Sequence, residues 1–237
     1  MSEALLQVGG LRAWYGRAQI LFGVSVQVHR GEVVALMGRN GAGKSTTFKA
    51  IMNLIPRVQG EVLFQDHSLL GLEPFQIARL GLGYVPEDRR IFSELTVTEN
   101  LEVGRQAPRE QAPAWTPDKL FTVFPNLGEM QHRLGGRMSG GEQQMLTVAR
   151  TLMGNPLLIM LDEPSEGIAP KIVEDMANMI LELKKEGLSV LLSEQNLHFA
   201  RLVCDRAYVI EKGQVRYEGT MAELARDERV KREYLSV

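Results

Sequence analysis

Short apolar segments alternate with longer amphipathic segments along this chain of 237 residues. Segments 32–37, 157–161 and 188–192 are short and almost entirely apolar, as expected for strands that are buried on both faces of a parallel sheet. Helices are predicted over 44–54 and 171–186. Because these strands and helices alternate, the pattern predicts an α/β fold with a parallel core.

The amino-terminal part of the chain has a different pattern, with short strands and turn residues. Strands are predicted over 5–8 and 23–28, with a turn near 16–17 between them. A further pair of strands is predicted to flank 59–60, with 61–64 as its second member. We expect these strands to form an antiparallel sheet that lies beside the parallel core.

Helix signals dominate the middle of the chain. The capping-box pattern at 96–99 predicts the start of a helix. A second helix is predicted over 118–124 and a third over 139–153, where a serine precedes the first turn. We therefore expect a helical insertion at approximately 90–155, within a single domain that spans residues 1–237.

Residues 38–46 read Gly-Arg-Asn-Gly-Ala-Gly-Lys-Ser-Thr and match the phosphate-binding loop pattern Gly-x4-Gly-Lys-Ser/Thr. A predicted strand enters this loop and a predicted helix leaves it, so the positive end of the helix would face a phosphate. Lys44 is expected to reach the β and γ phosphates, and the Ser45 hydroxyl to contact Mg2+. The predicted nucleotide-binding residues of this loop are Gly38, Arg39, Asn40, Gly41, Ala42, Gly43, Lys44, Ser45 and Thr46. The sequence thus predicts binding of a nucleoside triphosphate.

Two acids follow the apolar strand predicted at 157–161. Because the carboxyl ends of parallel strands face the ligand crevice, Asp162 is expected to contact Mg2+ opposite Ser45. Glu163 is expected to act as the general base that accepts a proton from the attacking water. A solvated acidic strand end is the alternative for this pair considered alone.

The segment 139–144, Ser-Gly-Gly-Glu-Gln-Gln, begins the third helix of the insertion. Ser139 is a helix N-cap candidate, and Gly140 and Gly141 permit close approach of another backbone. Considered alone, the segment is better explained as a helix start with no other role.

Composition excludes several other functions. The formal net charge is −2, which gives no electrostatic case for a nucleic-acid partner. Cys204 is the only cysteine, so the chain has neither a disulfide framework nor a multi-cysteine metal site. The amino terminus lacks the features of a signal peptide, and no apolar run reaches the ~18 residues that span a bilayer. A role at a membrane would therefore be that of a peripheral subunit.

The chain resembles ATP-binding cassette (ABC) subunits over its whole length. The resemblance lies in the order and spacing of three motifs, at 38–46, 139–143 and 157–164. The resemblance implies a P-loop NTPase fold with a RecA-like parallel core, an antiparallel β subdomain and a helical subdomain. In that family, two cassettes pair head to tail, and each ATP with its Mg2+ is held between them. The residues that the resemblance assigns to the partner's ATP are Ser139, Gly140, Gly141 and Glu142. Tyr15 lies where the family stacks an aromatic ring on adenine, with an exposed strand-end tyrosine as the alternative.

Three departures from the usual cassette motifs narrow the resemblance to one group of ABC subunits. Glu87 stands where most cassettes have a glutamine that contacts Mg2+, and Gln195 where most have a histidine near the γ phosphate. Residues 165–170 read Ser-Glu-Gly-Ile-Ala-Pro in place of the usual Ser-Ala-Leu-Asp loop. Together they resemble the smaller ATPase subunit of high-affinity branched-chain amino acid importers, although urea and amide importers share much of this pattern.

This narrower resemblance implies the partners and the location. The partners would be polytopic permease subunits, a sister ATPase or a second copy of this chain, and an extracytoplasmic substrate-binding protein that acts through the permease. The chain would lie at the cytoplasmic face of the membrane, with the surface from Glu87 to Leu101 against a permease helix. Ile91 and Phe92 are candidate apolar contacts of this surface, with packing inside the helical insertion as the alternative. A soluble ATP-gated clamp on nucleic acid or ribosomes and a non-hydrolysing regulatory cassette are the competing hypotheses.

The departures also have chemical consequences. Gln195 cannot become cationic, so it cannot supply the charge of a protonated imidazole. His198 would lie one helical turn further, either as a compensating group or as a surface histidine. Near Mg2+ the charge of Glu87 is offset, whereas without the metal it would repel the triphosphate. We therefore expect nucleotide binding to depend more strongly on Mg2+ than in cassettes with glutamine at this position.

Overall fold

Two β-sheets and a set of helices form the computed structural model, which describes residues 4–235. In chain order the strands are β1 (Ala4–Tyr15), β2 (Ala18–His29), β3 (Val33–Met37), β4 (Arg57–Phe64), β5 (His67–Ser68), β6 (Leu82–Val85), β7 (Leu158–Asp162), β8 (Ser189–Glu194), β9 (Arg206–Glu211) and β10 (Gln214–Thr220). The helices are α1 (Lys44–Ile51), α2 (Pro74–Leu80), α3 (Val97–Gly104), α4 (Pro117–Val123), α5 (Pro125–Gly128), α6 (Gly140–Leu152), α7 (Pro170–Lys185), α8 (Leu197–Val203), α9 (Met221–Arg226) and α10 (Glu228–Val230). Short 3₁₀ and π turns lie at Gly135–Arg137 and Lys231–Leu235.

The larger sheet has six strands in the order β10-β9-β3-β8-β7-β6. All neighbouring pairs from β9 to β6 are parallel, and β10 pairs antiparallel with β9 at the edge. The second sheet, β2-β1-β4-β5, is antiparallel throughout. The predicted α/β fold with a parallel core and an antiparallel sheet beside it is therefore confirmed.

The central strands are buried on both faces, as their apolar sequences predict. In β3, Val33, Ala35 and Met37 belong to one hydrophobic cluster. Val34 and Leu36 belong to the other. Because side chains alternate across a strand, each face of this sheet contributes to a separate core. One core contains residues of α3, α6, α7 and α8, and the other contains residues of α1 and the antiparallel sheet.

Two details of the predicted antiparallel sheet were wrong. The first two strands extend well beyond 5–8 and 23–28, although the turn at 16–17 is correct. Residues 59–60 do not separate two strands but lie inside β4. The pairing of β1 with β4 is irregular between Gly9 and Arg12, and Gly60 packs directly against this irregularity. The glycine is therefore explained by close backbone approach rather than by a turn.

The helix starts agree closely with the sequence. The side chains of Thr96 and Ser139 cap α3 and α6, and each takes part in a complete capping box. Helix α1 ends at Ile51, before the predicted end of 44–54. Helices α3 to α6 lie within the predicted insertion at 90–155. The predicted domain of residues 1–237 also includes 1–3 and 236–237, which lie outside the described residues. Among residues 4–235, no helix has the length and apolar character that a membrane crossing requires.

Candidate nucleotide-binding site

The phosphate-loop sequence connects β3 directly to α1. Gly43 has φ +112°, a conformation that residues with a side chain rarely adopt, and it forms the N-cap of α1. Within residues 4–235, the backbone N–H groups of Asn40, Gly41 and Gly43 donate to no acceptor. Gly43 is buried, whereas Asn40 and Gly41 are exposed, and the three N–H groups of this loop are available to donate to phosphate oxygens.

A cavity of about 280 Å³ lies over this loop. Its lining residues come from three places along the chain and are Tyr15, Ile20, Gly41, Gly43, Lys44, Ser45, Thr46 and Glu163. Tyr15 is 45% exposed, so its ring remains accessible beside the loop. The structure therefore brings the predicted adenine-stacking residue to the phosphate loop. Arg39, at the tip of the loop, is exposed, whereas Ala42 is buried beneath it.

Lys44 and Glu163 form a buried ion pair under the loop. Lys44 Nζ lies 3.1 Å from Glu163 Oε1, and it also donates to the carbonyls of Gly38 and Arg39 at 2.7 and 3.0 Å. Glu163 Oε2 is buried and has no hydrogen-bond partner among residues 4–235. An unpartnered buried carboxylate oxygen is costly in a fold, and it is suited to accept a proton from a bound molecule.

The backbone of Glu163 is held in an unusual conformation. Its φ is +48°, which is rare for a residue other than glycine. The Glu163 N–H donates to Ser193 Oγ at 2.9 Å and to the Ser193 carbonyl at 3.2 Å. These bonds fix the carboxylate beneath the phosphate loop, and such local strain is common at functional sites.

Asp162 and Ser45 lie opposite each other, as the sequence predicts. Ser45 Oγ donates to Asp162 Oδ1 at 2.9 Å, and Ser193 Oγ donates to the same oxygen at 2.6 Å. Tyr84 Oη donates to Asp162 Oδ2 at 3.2 Å. Burial raises the pKa of Asp162, and these hydrogen bonds oppose that shift. A carboxylate and a hydroxyl at this position are oxygen donors that suit Mg2+.

The end of β8 and the segment after it lie beside the start of the phosphate loop. Glu194 is buried, accepts from the N–H groups of Gln195 and Asn196 at 2.9 Å each, and accepts from Ser165 Oγ at 2.7 Å. Burial raises the pKa of Glu194. Its carbonyl accepts from the Gly38 N–H at 3.2 Å, so Gln195 follows a residue that is bonded to the start of the phosphate loop. His198 is exposed on α8.

The segment Ser139–Glu142 does not line the cavity over the phosphate loop of its own chain. Ser139 is exposed, its N–H donates to the Glu142 carboxylate at 2.6 Å, and its Oγ accepts from the Glu142 N–H. The carboxylate of Glu142 is therefore used to cap the helix. An added Cβ at Gly141 would lie 2.9 Å from Ile172, which explains a small residue there. Ser139 is thus open to a molecule outside this chain, whereas residues 140–142 are half-buried.

Glu87 is exposed in the loop after β6 and does not line the phosphate-loop cavity. It lines a different surface cavity of about 340 Å³, which it shares with Gln143 at the start of α6. Its predicted contact with Mg2+ remains a prediction.

Sequence reasoning missed three residues of this site. Tyr84, Ser193 and Glu194 hold the acids and the loop, yet no role was predicted for any of them. The available signal was their position in the chain. Ser193 and Glu194 come directly after the predicted core strand 188–192, and Tyr84 lies near the carboxyl end of β6, which pairs with the core strand β7. Polar side chains at that edge of a parallel sheet point to the ligand crevice.

Comparison with known proteins decides the family. The family model for the ABC transporter matches residues 21–166, which include the phosphate loop, the first turn of α6 and Glu163. The chain belongs to the ABC transporter family. It is an ATPase subunit of a transporter, with the cassette fold that the sequence predicts.

Individual members resemble this ABC chain over nearly its full length. The high-affinity branched-chain amino acid transport ATP-binding protein BraG of Pseudomonas aeruginosa is 41% identical over 98% of this chain and 99% of that protein. The lipopolysaccharide export system ATP-binding protein LptB of Haemophilus influenzae is 35% identical over 98% and 97%, respectively. The solved ADP conformation of MJ1267, an ATP-binding cassette of an ABC transporter, matches with a TM-score of 0.81 and 28% identity over 98% of both chains.

Proposed function

We infer that this chain binds ATP with Mg2+ and hydrolyses it as the energising subunit of a membrane importer, with branched-chain amino acids as the transported class. The buried arrangement of Lys44, Glu163, Asp162 and Ser45 supports the hydrolysis. The 41% identity to BraG over 98% of this chain is the observation that carries the substrate class.

The residues of the site have complementary roles in hydrolysis. The unpaired N–H groups of Asn40, Gly41 and Gly43 and the charge of Lys44 hold the phosphates. Glu163 accepts the proton of the attacking water, since Oε2 has no competing partner within the described chain. Gln195 is assigned to the γ phosphate as a neutral hydrogen-bonding group.

Ser45 and Asp162 would hold Mg2+, with Glu87 as a further candidate ligand. No group of three or more acidic, histidine or cysteine side chains among residues 4–235 is arranged to bind a metal without other ligands. This agrees with an ion that shares its coordination with substrate phosphates. Bound Mg2+ would neutralise negative charge on the β and γ phosphates.

Two chains, or this chain and a sister ATPase, would pair head to tail around ATP. The observation in favour is that Ser139 is exposed and that no residue of 139–142 lines the cavity over the phosphate loop of the same chain. In the pair, Ser139, Gly140, Gly141 and Glu142 would meet the ATP of the other subunit. Binding would close the pair, and hydrolysis with release of phosphate would open it.

A permease helix would dock in a groove between the helical part of the chain and β6. The groove has a volume of about 530 Å³ and lies where residues of the helical part, such as Val103, approach Tyr84 of β6. Four large apolar residues on its wall are 46–56% exposed: Leu54, Phe75, Phe92 and Val103. Such a cluster of exposed apolar residues marks an interaction surface.

Two arginines indicate the chemistry of the docked helix. Arg79 lies over the Phe75 ring at 5.3 Å, and Arg150 over the Phe92 ring at 5.0 Å. An amphipathic helix that buries apolar residues in the groove and carries an acid at its edge would fit this surface. Phe92 thus belongs to the proposed docking surface together with Leu54 and Phe75, whereas Ile91 does not line this groove and packs against a hydrophobic core.

Co-expression with the products of neighbouring genes tests this function. The chain should co-purify from detergent extract with a polytopic subunit, and Phe92→Asp should abolish this association. Leu202→Asp is the matched control, because Leu202 is 50% exposed but does not line the groove. Recovery of the chain with nucleic acid and no membrane subunit would contradict the proposal and favour the clamp hypothesis.

The substrate class needs a separate measurement. In proteoliposomes that contain the full complex and its binding protein, leucine, isoleucine or valine should stimulate ATP hydrolysis. Stimulation by urea or short amides alone would move the assignment to that related class of importer. Stimulation by lipopolysaccharide would replace the importer with an exporter, the alternative that the match to LptB favours.

A further inference from the structure

The loop that follows β6 lies against the start of α6 through Arg89. A Cβ added at Gly140 would lie 2.5 Å from Arg89 Nη1 and 3.2 Å from its Cζ. The guanidinium therefore fills the space that a larger residue at position 140 would need. Since Gly140 is the first residue of the 13-residue α6, a positive charge lies beside the first turn of this helix.

Helix α6 itself holds this loop in place. Thr147 Oγ1 donates to the Arg89 carbonyl, and Arg150 Nη2 to the Arg90 carbonyl, at 2.6 Å each. Arg89 and Arg90 have φ values of +61° and +49°, a left-handed pair that side-chain-bearing residues rarely form. Because the bonds come from α6, the position of Arg89 relative to the helix is fixed by the fold.

The two neighbouring arginines differ in their partners. Arg90 Nε donates to Asp88 at 2.8 and 3.0 Å, whereas the Arg89 guanidinium has no ion pair or hydrogen bond among residues 4–235. The N–H groups of Gly140 and Gly141 also donate to no acceptor in that part of the chain. A cation beside the positive end of a helix is unfavourable unless an anion joins them.

The nearby acids do not fill this role. Glu87 and Asp88 line the same surface cavity as Arg89, but Asp88 is bound to Arg90 and Glu87 makes no ion pair among the described residues. Glu142 is used by the capping box. The remaining anion that the paired arrangement brings to this turn is the terminal phosphate of a nucleotide.

We propose that Arg89 binds the γ phosphate of the ATP held by the phosphate loop of the paired subunit, beside Ser139 and Gly141. This inference rests on the proposed head-to-tail pairing, which brings that phosphate to α6. Arg89 thereby makes closure of the pair depend on the third phosphate, so that ADP does not sustain it. A guanidinium is suited to this role because it donates two parallel hydrogen bonds to a phosphate.

The test uses closure of the pair rather than turnover. Arg89→Gln, Arg89→Lys and the control Arg90→Gln are each placed in the Glu163→Gln chain. Analytical ultracentrifugation gives the ATP concentration for half-maximal pairing, and a fluorescent ATP analogue gives nucleotide binding by the dilute single chain. Arg89→Gln should raise the pairing concentration about tenfold or more, as expected for loss of a charge-assisted hydrogen bond. Arg89→Lys should raise the pairing concentration by less than Arg89→Gln does. Arg90→Gln should leave it at the value of the parent, the Glu163→Gln chain.

Single-chain binding should be the same in all four proteins, because Arg89 acts on the nucleotide of the other subunit. Equal pairing by Arg89→Gln and Arg90→Gln would overturn the role of Arg89 while leaving the proposed function intact. Weaker nucleotide binding by the single Arg89→Gln chain would also overturn it, since Arg89 would then act on its own nucleotide. Failure of the parent to pair with ATP would instead overturn the proposed pairing, and the Arg89 role with it.

Discussion

Lys44 Nζ lies 3.1 Å from Glu163 Oε1, and both side chains are buried. The cation that is expected to bind phosphate is thus paired with the carboxylate that is expected to activate water. A triphosphate that binds Lys44 would compete with Glu163 for this charge and would release Glu163 Oε1 from the ion pair. This ion pair would thereby connect nucleotide binding to the availability of the Glu163 carboxylate as the general base.

Glu163→Gln should separate binding from turnover. The amide keeps an oxygen acceptor for Lys44 but removes the base and the competing charge. Turnover should fall by about 10²–10⁴-fold, the usual effect of losing a general base. ATP affinity, measured by isothermal titration, should be equal to or higher than that of the wild type. Glu186→Gln, which changes a surface ion pair with Lys119, is the control. Near-normal turnover in Glu163→Gln would remove the assigned role.

Ser193 should matter for catalysis as well as for stability. Its hydroxyl donates to Asp162 and accepts from the Glu163 N–H, so Ser193→Ala loosens both acids. We expect a loss of about 1–3 kcal/mol in the free energy of unfolding, typical of a buried hydrogen bond to a charged group. We also expect kcat to fall about tenfold or more, since the base is no longer held in position.

Ser189 provides the matched control on the same strand. It is also buried, but its hydroxyl accepts from the Gly31 N–H, away from the acids. Ser189→Ala should lower stability in urea unfolding without lowering kcat. Equal effects of the two substitutions on kcat would show that Ser193 has only a structural role.

Glu166 should make stability depend on pH. The neighbouring Glu163 carboxyl raises the pKa of Glu166 to about 7, and burial and the charge of Glu87 act in the same direction. The folded chain therefore binds more protons than the unfolded chain between the ordinary glutamate pKa and about 7. Stability must fall as the pH rises through this window.

Glu166→Gln removes this effect, so its melting temperature should exceed that of the wild type at pH 8. The difference should shrink at pH 5, where Glu166 is protonated in the folded protein. Glu174→Gln, an exposed change on α7, serves as the control. A difference in melting temperature that is the same at both pH values would contradict the assigned titration.

Glu87 should make nucleotide binding depend on Mg2+. Without the metal, its negative charge repels the triphosphate, whereas bound Mg2+ offsets that charge. The gain in ATP affinity on adding Mg2+ should therefore be larger in the wild type than in Glu87→Gln, as measured by titration with and without chelator. Equal gains in the two proteins would rule out this role.

The sequence was sufficient for those features that depend on neighbouring residues. The phosphate loop, the capping boxes and the apolar strands are local patterns. Ser45 meets Asp162 because the loop after β3 and the last residue of β7 lie at the same carboxyl edge of one parallel sheet. Residues Tyr84 and Ser193 contact Asp162 because β6, β7 and β8 are adjacent in the sheet. That order of strands is a property of the whole fold, and no short pattern contains it.

The strand predictions failed where two distant segments determine the local conformation. Gly60 resembles a turn residue, but it lies inside β4 because the backbone of β1 approaches it near Gly9. The contact of Arg89 with Gly140 is of the same kind, since it joins the loop after β6 to α6. Contacts between such distant segments can be identified only from the tertiary structure.

The central claim is that each ATP is hydrolysed between the phosphate loop of one subunit and Ser139 of the other. The most direct measurement mixes two inactive chains, Lys44→Ala and Ser139→Arg, after each has been shown to retain its fold. A mixed pair rebuilds one complete site, from the phosphate loop of one chain and the α6 start of the other. We predict that the mixture hydrolyses ATP although neither chain does so alone. Substantial hydrolysis by Ser139→Arg alone, or no gain on mixing, would contradict the account for a pair formed by two copies of this chain.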